Sequence, residues 1–347
     1  MDAQQPGMIA VQKSMVVLIL GTAFLMVGSA FAISSASPEQ QVMYQETRRS
    51  MWTKFEIIAY GPSRAQLAEA ADAAFEEIDR LDGQMSNYSE TSELTYINRN
   101  AALQDVIVEK ELFDFLKASL DYSRTTEGTF DVTVGPLMKS WGFFDNKGRV
   151  PDAAELKSLM THVGFKHVIA DEKTHSIRFD CKGVEIDLGG IAKGYAVDRA
   201  AAILRASGVS SAFISSGSSS ICAIGSPPGQ KAWTVDVSDP HDRSRKLERI
   251  DLKDSSISTS ACQEKTFEYG GKTYCHIMDP RIGRPIEGLI SATIITKSGV
   301  EAEALSKALM VMGIDRARQF LRARPHVRAI LYYNQPEGGL GSARLNF

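Results

Sequence analysis

EIDLGGIAKGYAVDRAA, residues 185–201, reads as a strand that enters a paired-glycine turn and opens a helix. Lys193 sits in the turn, and the acids Asp187 and Asp198 flank it. The helix opened there buries Val197, Ala200, Ile203 and Leu204 and stops at Gly208. A strand, a turn that admits close backbone approach and a cation therefore meet at one point.

Outward from that point, strands and helices mix without strict βαβα alternation. On the N-terminal side, TKFEIIAYG (53–61) reads as a strand, and Ser63 with Gln66 forms a capping-box pattern. Leu67, Ala71, Ala74, Phe75, Ile78 and Leu81 recur at helical spacing, which predicts an amphipathic helix over 64–82. KELFDFLKASLDYSRTTEG predicts a second helix ending at Gly128, and Asp152 with Glu155 starts a third that stops at Gly164. On the C-terminal side, HVIADEKTHSIRF and TFEYGGKTYCHIMD read as hairpins, the second turning at Gly270-Gly271. Residues 302–313 and a segment from Asp315 to the residue before Pro325 are helical, and HVRAILYYN is a closing strand. The pattern is α+β: a single compact mixed-sheet domain with flanking helices.

The chain has 347 residues, enough for a sizeable core, with 44% hydrophobic and 23% charged residues. A formal net charge of −3 excludes the basic footprint of a nucleic-acid binder. Lys13 precedes an apolar run to Ala32, and Ala30-Phe31-Ala32 fits a small-x-small cleavage site. Residues 1–32 are therefore expected to be a signal peptide, or else an uncut membrane anchor. Residues 33–49 read as a polar linker, and 50–347 as the domain. The rest of the chain is placed outside the cytoplasm, periplasmic or anchored on the outer face of the inner membrane. The four cysteines, Cys181, Cys222, Cys262 and Cys275, lack a CxxC spacing. They permit three connectivities or buried free thiols.

Four stretches carry chemistry-bearing residues. TEGTFDVTVGPLMKSWGFF sets Asp131 beside Phe130 and Trp141, as a helix cap followed by a core strand also would. SSGSSSICAIG (215–225) is a hydroxyl-rich turn able to bind an anion. His276 stands at a strand end before the rigid Asp279-Pro280 turn, where an imidazole can act as a general base or simply be structural. Glu303 and Lys307 lie i, i+4 on one helix, the spacing of an ordinary salt bridge.

Taken in order, MWT (51–53), IDRLDGQMSNYSETSELTYIN (78–98), GTFDVTVGPLMKSWGF, DLGGIAKGYAVDRA, ISTSA and YCHIMDPRIGRP resemble the ApbE-type flavin transferases, the FAD:protein FMN transferases. The resemblance runs from about Ser50 to Gly313. It implies an ApbE, T-fold-like architecture. It also implies an enzyme that moves FMN from FAD to a Thr or Ser hydroxyl of an exported flavin-accepting redox subunit, releasing AMP. Hydrolysis of FAD to FMN and AMP, or FAD binding without catalysis, are the alternatives. By match to the family pattern, Met51, Tyr88, Thr129, Phe130, Asp131, Asp187, Lys193 and His276 contact FAD, and His276 is the candidate base. The glycines at 189 and 190, Lys193 and the new helix N-terminus then serve the pyrophosphate.

The family's magnesium site uses a glycine-turn carbonyl and a helix pattern A-D-A-L-A-T. Here the corresponding residues are Gly190, Glu303, Ser306 and Lys307, with lysine at the threonine position. Lysine offers no lone pair to Mg²⁺ while protonated. Either its ammonium occupies the metal position, or it turns away and Mg²⁺ binds through Gly190, Glu303 and Ser306. Further departures are Trp52 for a glycine, GSSS (217–220) for Gly-Gly-Asp, and Ile282 for a threonine.

Overall fold

The computed structural model describes residues 41–347, and the expected signal segment 1–32 lies outside them. Eight strands form the main sheet, in the order Val42–Ser50, Thr53–Gly61, Ser211–Ser216, Ser220–Ile224, Ser255–Ala261, Leu289–Thr296, Arg328–Asn334 and Leu340–Leu345. Every neighbouring pair is antiparallel, so the α+β expectation stands but the sheet is not mixed in direction.

Three helices, Arg64–Met85, Ala192–Ala206 and Gly299–Leu321, cover one face of this sheet. Phe55, Ile57 and Ala59 alternate along their strand and point into the helix layer with Leu67, Ala71, Phe75 and Ile78. Each fully buried Leu, Ile or Phe among them stabilises the fold by roughly 1.5–3 kcal/mol. The hairpin Trp233–Ser238 with Lys246–Leu252 closes the other face over Ile221, Ile257, Ile295 and Ile330. Leu289–Thr296 is consequently buried at every position, which explains its unbroken run of small and apolar residues.

The predicted helices form, with ends adjusted. Ser63 caps Arg64–Met85 by accepting from the Gln66 N–H at 3.4 Å. The helix begun by Asp152 ends at Leu159, short of Gly164. The two C-terminal helical segments join into Gly299–Leu321 across a kink at Gly313, whose φ of 74° breaks the helical path.

Residues 185–188, read as a strand, pair in no sheet, and two edge strands escaped the sequence reading. Part of the expected linker, Val42–Ser50, is a strand paired with Thr53–Gly61. Its inner face carries Tyr44, Glu46 and Arg48, only half-buried, so no apolar alternation marks it. Arg48 lies 4.6 Å from the Phe75 ring centroid and pairs with Glu46 and Asp72. Leu340–Leu345, beyond the strand read as closing, is the opposite edge.

Candidate flavin-phosphate site

The helices Ala192–Ala206 and Gly299–Leu321 cross at Gly194 and Gly299. A Cβ on Gly194 would lie under 2.5 Å from the Gly299 carbonyl oxygen, so only glycine permits the approach. The crossing drops Glu303 onto the N-terminus of the first helix, where Oε2 accepts the Gly194 N–H. In return, Asp198 accepts from the Gly299 and Val300 N–H groups (2.7 and 3.1 Å) and from the Ser298 hydroxyl (2.8 Å) at the start of the second. Burial raises the Asp198 pKa, and these hydrogen bonds oppose it. Asp198, read as a flanking acid, is thus a helix cap.

Beside this crossing lies a cavity of about 640 Å³. Met51, Tyr88, Thr129, Phe130, Asp131, Asp187, Lys193 and His276 all line it, together with Gly190 and Lys307. Residues from 51 to 307 converge there because the strand 53–61, the glycine turn and the helix layer meet at one end of the sheet.

Lys193 extends from the first turn of its helix and donates to the Ser219 hydroxyl at 3.0 Å. The hydroxyl-rich turn 217–219 therefore faces the cation, as an anion site needs. Ser216, also on the wall, has a buried hydroxyl without a hydrogen-bond partner.

His276 Nδ1 lies 3.1 Å from the Lys265 carbonyl. A carbonyl only accepts, so Nδ1 carries the proton and Nε2 keeps its lone pair. Burial, reinforced by Lys307, Lys265 and Lys193, pushes the imidazole pKa down to about 4 against the hydrogen bond to that carbonyl. A neutral base thus sits among three ammonium groups. The preceding residue, Cys275, is bridged to Cys262 with Cα atoms 5.0 Å apart, while Cys181 and Cys222 are free. The bridge ties the His276 segment to the end of the strand Ser255–Ala261.

The two aspartates are partly consumed by the chain itself. Asp131 accepts from the Thr133 N–H (2.8 Å), the Thr133 hydroxyl (2.6 Å) and the Phe165 N–H (2.7 Å), so it braces the loop at 164–165. Asp187 Oδ1 accepts the Gly189 N–H at 2.8 Å and shapes the glycine turn. Burial raises both pKa values.

The residues of the expected magnesium site do not make an oxygen cage. Glu303 is fully buried; Oε1 receives the Lys307 ammonium at 3.1 Å, and Oε2 is taken by Gly194. The Ser306 hydroxyl donates to the Glu303 carbonyl at 2.8 Å and lies 2.7 Å from Ser260 Oγ. Lys307 itself reaches the cavity wall with 21% of its side chain exposed. Burial lowers its pKa and Glu303 opposes this. Mg²⁺ demands near-octahedral oxygen ligation, and this set presents an ammonium with its carboxylate already engaged.

At the mouth, Met51 and Trp52 form the two-residue turn between the first strands, with φ of 46° and 60°. Trp52 is 85% exposed, 5.4 Å from the Tyr88 ring, which stacks on Phe144 at 4.4 Å. Sequence reasoning named neither Ser216 nor Lys265 as site residues. The serine run was the one signal for the former, and the lysine had none.

A sequence profile of the ApbE family matches residues 51–331. The chain is similar to the FAD:protein FMN transferase of Salmonella typhimurium, 29% identical over 327 residues and covering 92% of each chain. It is 34% identical over 248 residues to the enzyme of that name from Vibrio cholerae, covering 69% of this chain and 73% of that one. Among solved structures, the ApbE protein of Thermotoga maritima superposes with a TM-score of 0.79 at 31% identity, covering 87% of this chain and 97% of that one. With the profile spanning most of its length and the fold shared, this chain belongs to the ApbE family.

Proposed function

We propose that this chain is an FAD:protein FMN transferase that moves FMN from FAD to a threonine or serine hydroxyl of a partner protein. The observation that carries this reading is the convergence of ten positions from separate stretches of the chain, including Lys193, Lys307 and His276, on one cavity wall. FAD is the substrate. Its pyrophosphate meets the N-terminus of the helix Ala192–Ala206, the serine turn, and the ammonium groups of Lys193 and Lys307. Tyr88 and Phe130 offer faces to a ring system.

In the reaction, His276 Nε2 takes the proton of the acceptor hydroxyl. The hydroxyl oxygen attacks the phosphorus of the FMN half, and the bond to the AMP phosphate breaks. AMP leaves with the electron pair, and a phosphoester joins flavin to protein. Lys307 offsets the charge that builds on the phosphates, so Mg²⁺ is not needed. Support for this comes from its place on the cavity wall, where the Glu303 carboxylate at 3.1 Å favours its charged form.

The chain acts outside the cytoplasm on an exported redox subunit, released by cleavage after Ala32 or held by its N-terminus. This reading is supported by the apolar run ending at Ala32 and by the Cys262–Cys275 bridge, which persists in an oxidising compartment.

Incubation with FAD and a threonine-bearing acceptor peptide tests the function. Transfer predicts peptide gaining the mass of FMN, with AMP released only when peptide is present. AMP and free FMN without peptide would instead identify a hydrolase, and FAD recovered intact with any acceptor would identify a binding protein.

A further inference from the structure

Away from the flavin cavity, three metal-ligating side chains gather, with a fourth, His162, beside the thiol. One ligand atom from each of His167, Asp180 and Cys181 lies within 4.8 Å of the other two. Cys181 Sγ is 3.8 Å from His167 Nδ1 and 4.0 Å from His162 Nδ1. We propose that His167, Asp180 and Cys181 bind one soft divalent cation of the zinc class, with His162, whose Nδ1 is 4.0 Å from the thiol, turning in to complete the shell.

The distances around the thiol suit the ion. With Zn–S near 2.3 Å and Zn–N near 2.05 Å, a tetrahedral S···N edge is about 3.5 Å. The two observed edges exceed this by roughly half an ångström or less, a shift within side-chain reach. Asp180 Oδ1 and His167 Nδ1 are 2.8 Å apart and separate slightly to admit the metal. Charge also balances: a thiolate and a carboxylate neutralise a dication, and two neutral imidazoles complete the set.

The donors are held by the backbone before any metal arrives. The Asp180 N–H donates to the His167 carbonyl at 3.1 Å, and Val168 pairs with Phe179 across the adjoining hairpin. His162 packs on Gly183, where φ is +93° and an added Cβ would lie 2.9 Å from the ring. That glycine admits the imidazole beside the thiol. A His167–Asp180 ion pair alone gives no role to the half-buried free thiol between two imidazoles.

The site is separate from the flavin chemistry but adjoins its scaffold. Phe165, two residues before His167, donates to the cavity-lining Asp131. A bound cation would clamp the loop that Asp131 braces.

Cobalt titration of full-length, chelator-stripped protein without a polyhistidine tag tests the site. The expected result is one equivalent bound, with a thiolate-to-cobalt charge-transfer band, displaced by zinc. No cysteine lines the flavin cavity, so it cannot give that band. Cys181→Ser should abolish it, and His162→Gln should weaken binding by about 10-fold or more, while both variants retain FAD binding as proof of folding. In the unaltered protein, zinc should protect Cys181 from alkylation by iodoacetamide, a readout that needs no variant. Absence of the band at one equivalent, equal cobalt affinity in Cys181→Ser, or alkylation indifferent to zinc would overturn the proposal.

Discussion

Asp198 and Glu303 cap each other's helices: each carboxylate, carried on one of two crossing helices, satisfies N-terminal N–H groups of the other. The exchange locks the two helices at the glycine crossing and holds the cation-bearing turn against the cavity. Asp198→Ala strands two backbone donors and a hydroxyl, and should lower stability by about 2–4 kcal/mol. Urea unfolding measures it; a loss below about 1 kcal/mol would show the cap to be dispensable.

On the proposed reading, the Lys307 ammonium stands in for a metal ion. The unaltered protein should keep full transfer in excess EDTA. Lys307→Thr restores an oxygen where the ammonium stood, and should lose roughly 100-fold in rate without metal and regain it with Mg²⁺. Complete inhibition of the unaltered enzyme by EDTA refutes this.

His276→Asn should slow transfer by about 10²–10⁴-fold while FAD affinity changes little. Because the imidazole pKa lies near 4, the rate of the unaltered enzyme should be level from neutral pH down to about 5 and fall below that. The stability link has the same sign. The folded pKa is depressed from 6.5, so the unfolded state binds the proton more tightly. Stability from this group is complete above pH 6.5 and is lost as pH falls through about 4. A rate that instead rises with pH through 6.5 would assign the base elsewhere.

The Cys262–Cys275 bridge closes a loop of 13 residues beside His276. Its removal in Cys262→Ser should cost about 3 kcal/mol and reduce turnover more than FAD binding. Thermal melts and FAD titrations separate the two effects.

Trp52 holds a positive φ in a position that favours glycine. Trp52→Gly should raise stability by about 1 kcal/mol while weakening capture of FAD or of the acceptor at the cavity mouth. Unchanged binding of both would make Trp52 a passive surface residue.

Helices were legible because their apolar positions recur every three to four residues and their caps are local in sequence. Ser63 and Asp152 announce themselves within one turn, and the Leu67–Leu81 series within about four. The edge strand Val42–Ser50 was not, because its inner face uses Arg48 against Phe75 rather than an apolar residue. The pairing of Cys262 with Cys275 was equally hidden among the possible connectivities.

The sequence by itself determined the α+β class, the helix positions and, through ordered motifs, the residues that meet in the cavity, because these follow from local periodicity and residue type. Only the tertiary structure decided what those residues do to one another. It turned Asp198 into a cap, spent the oxygens of Asp131 on its own loop and set Lys307 against Glu303. It also gathered His162, His167, Asp180 and Cys181. The reason is physical: hydrogen bonds and ion pairs depend on distances of about 3 Å between atoms that the chain order leaves more than a hundred residues apart.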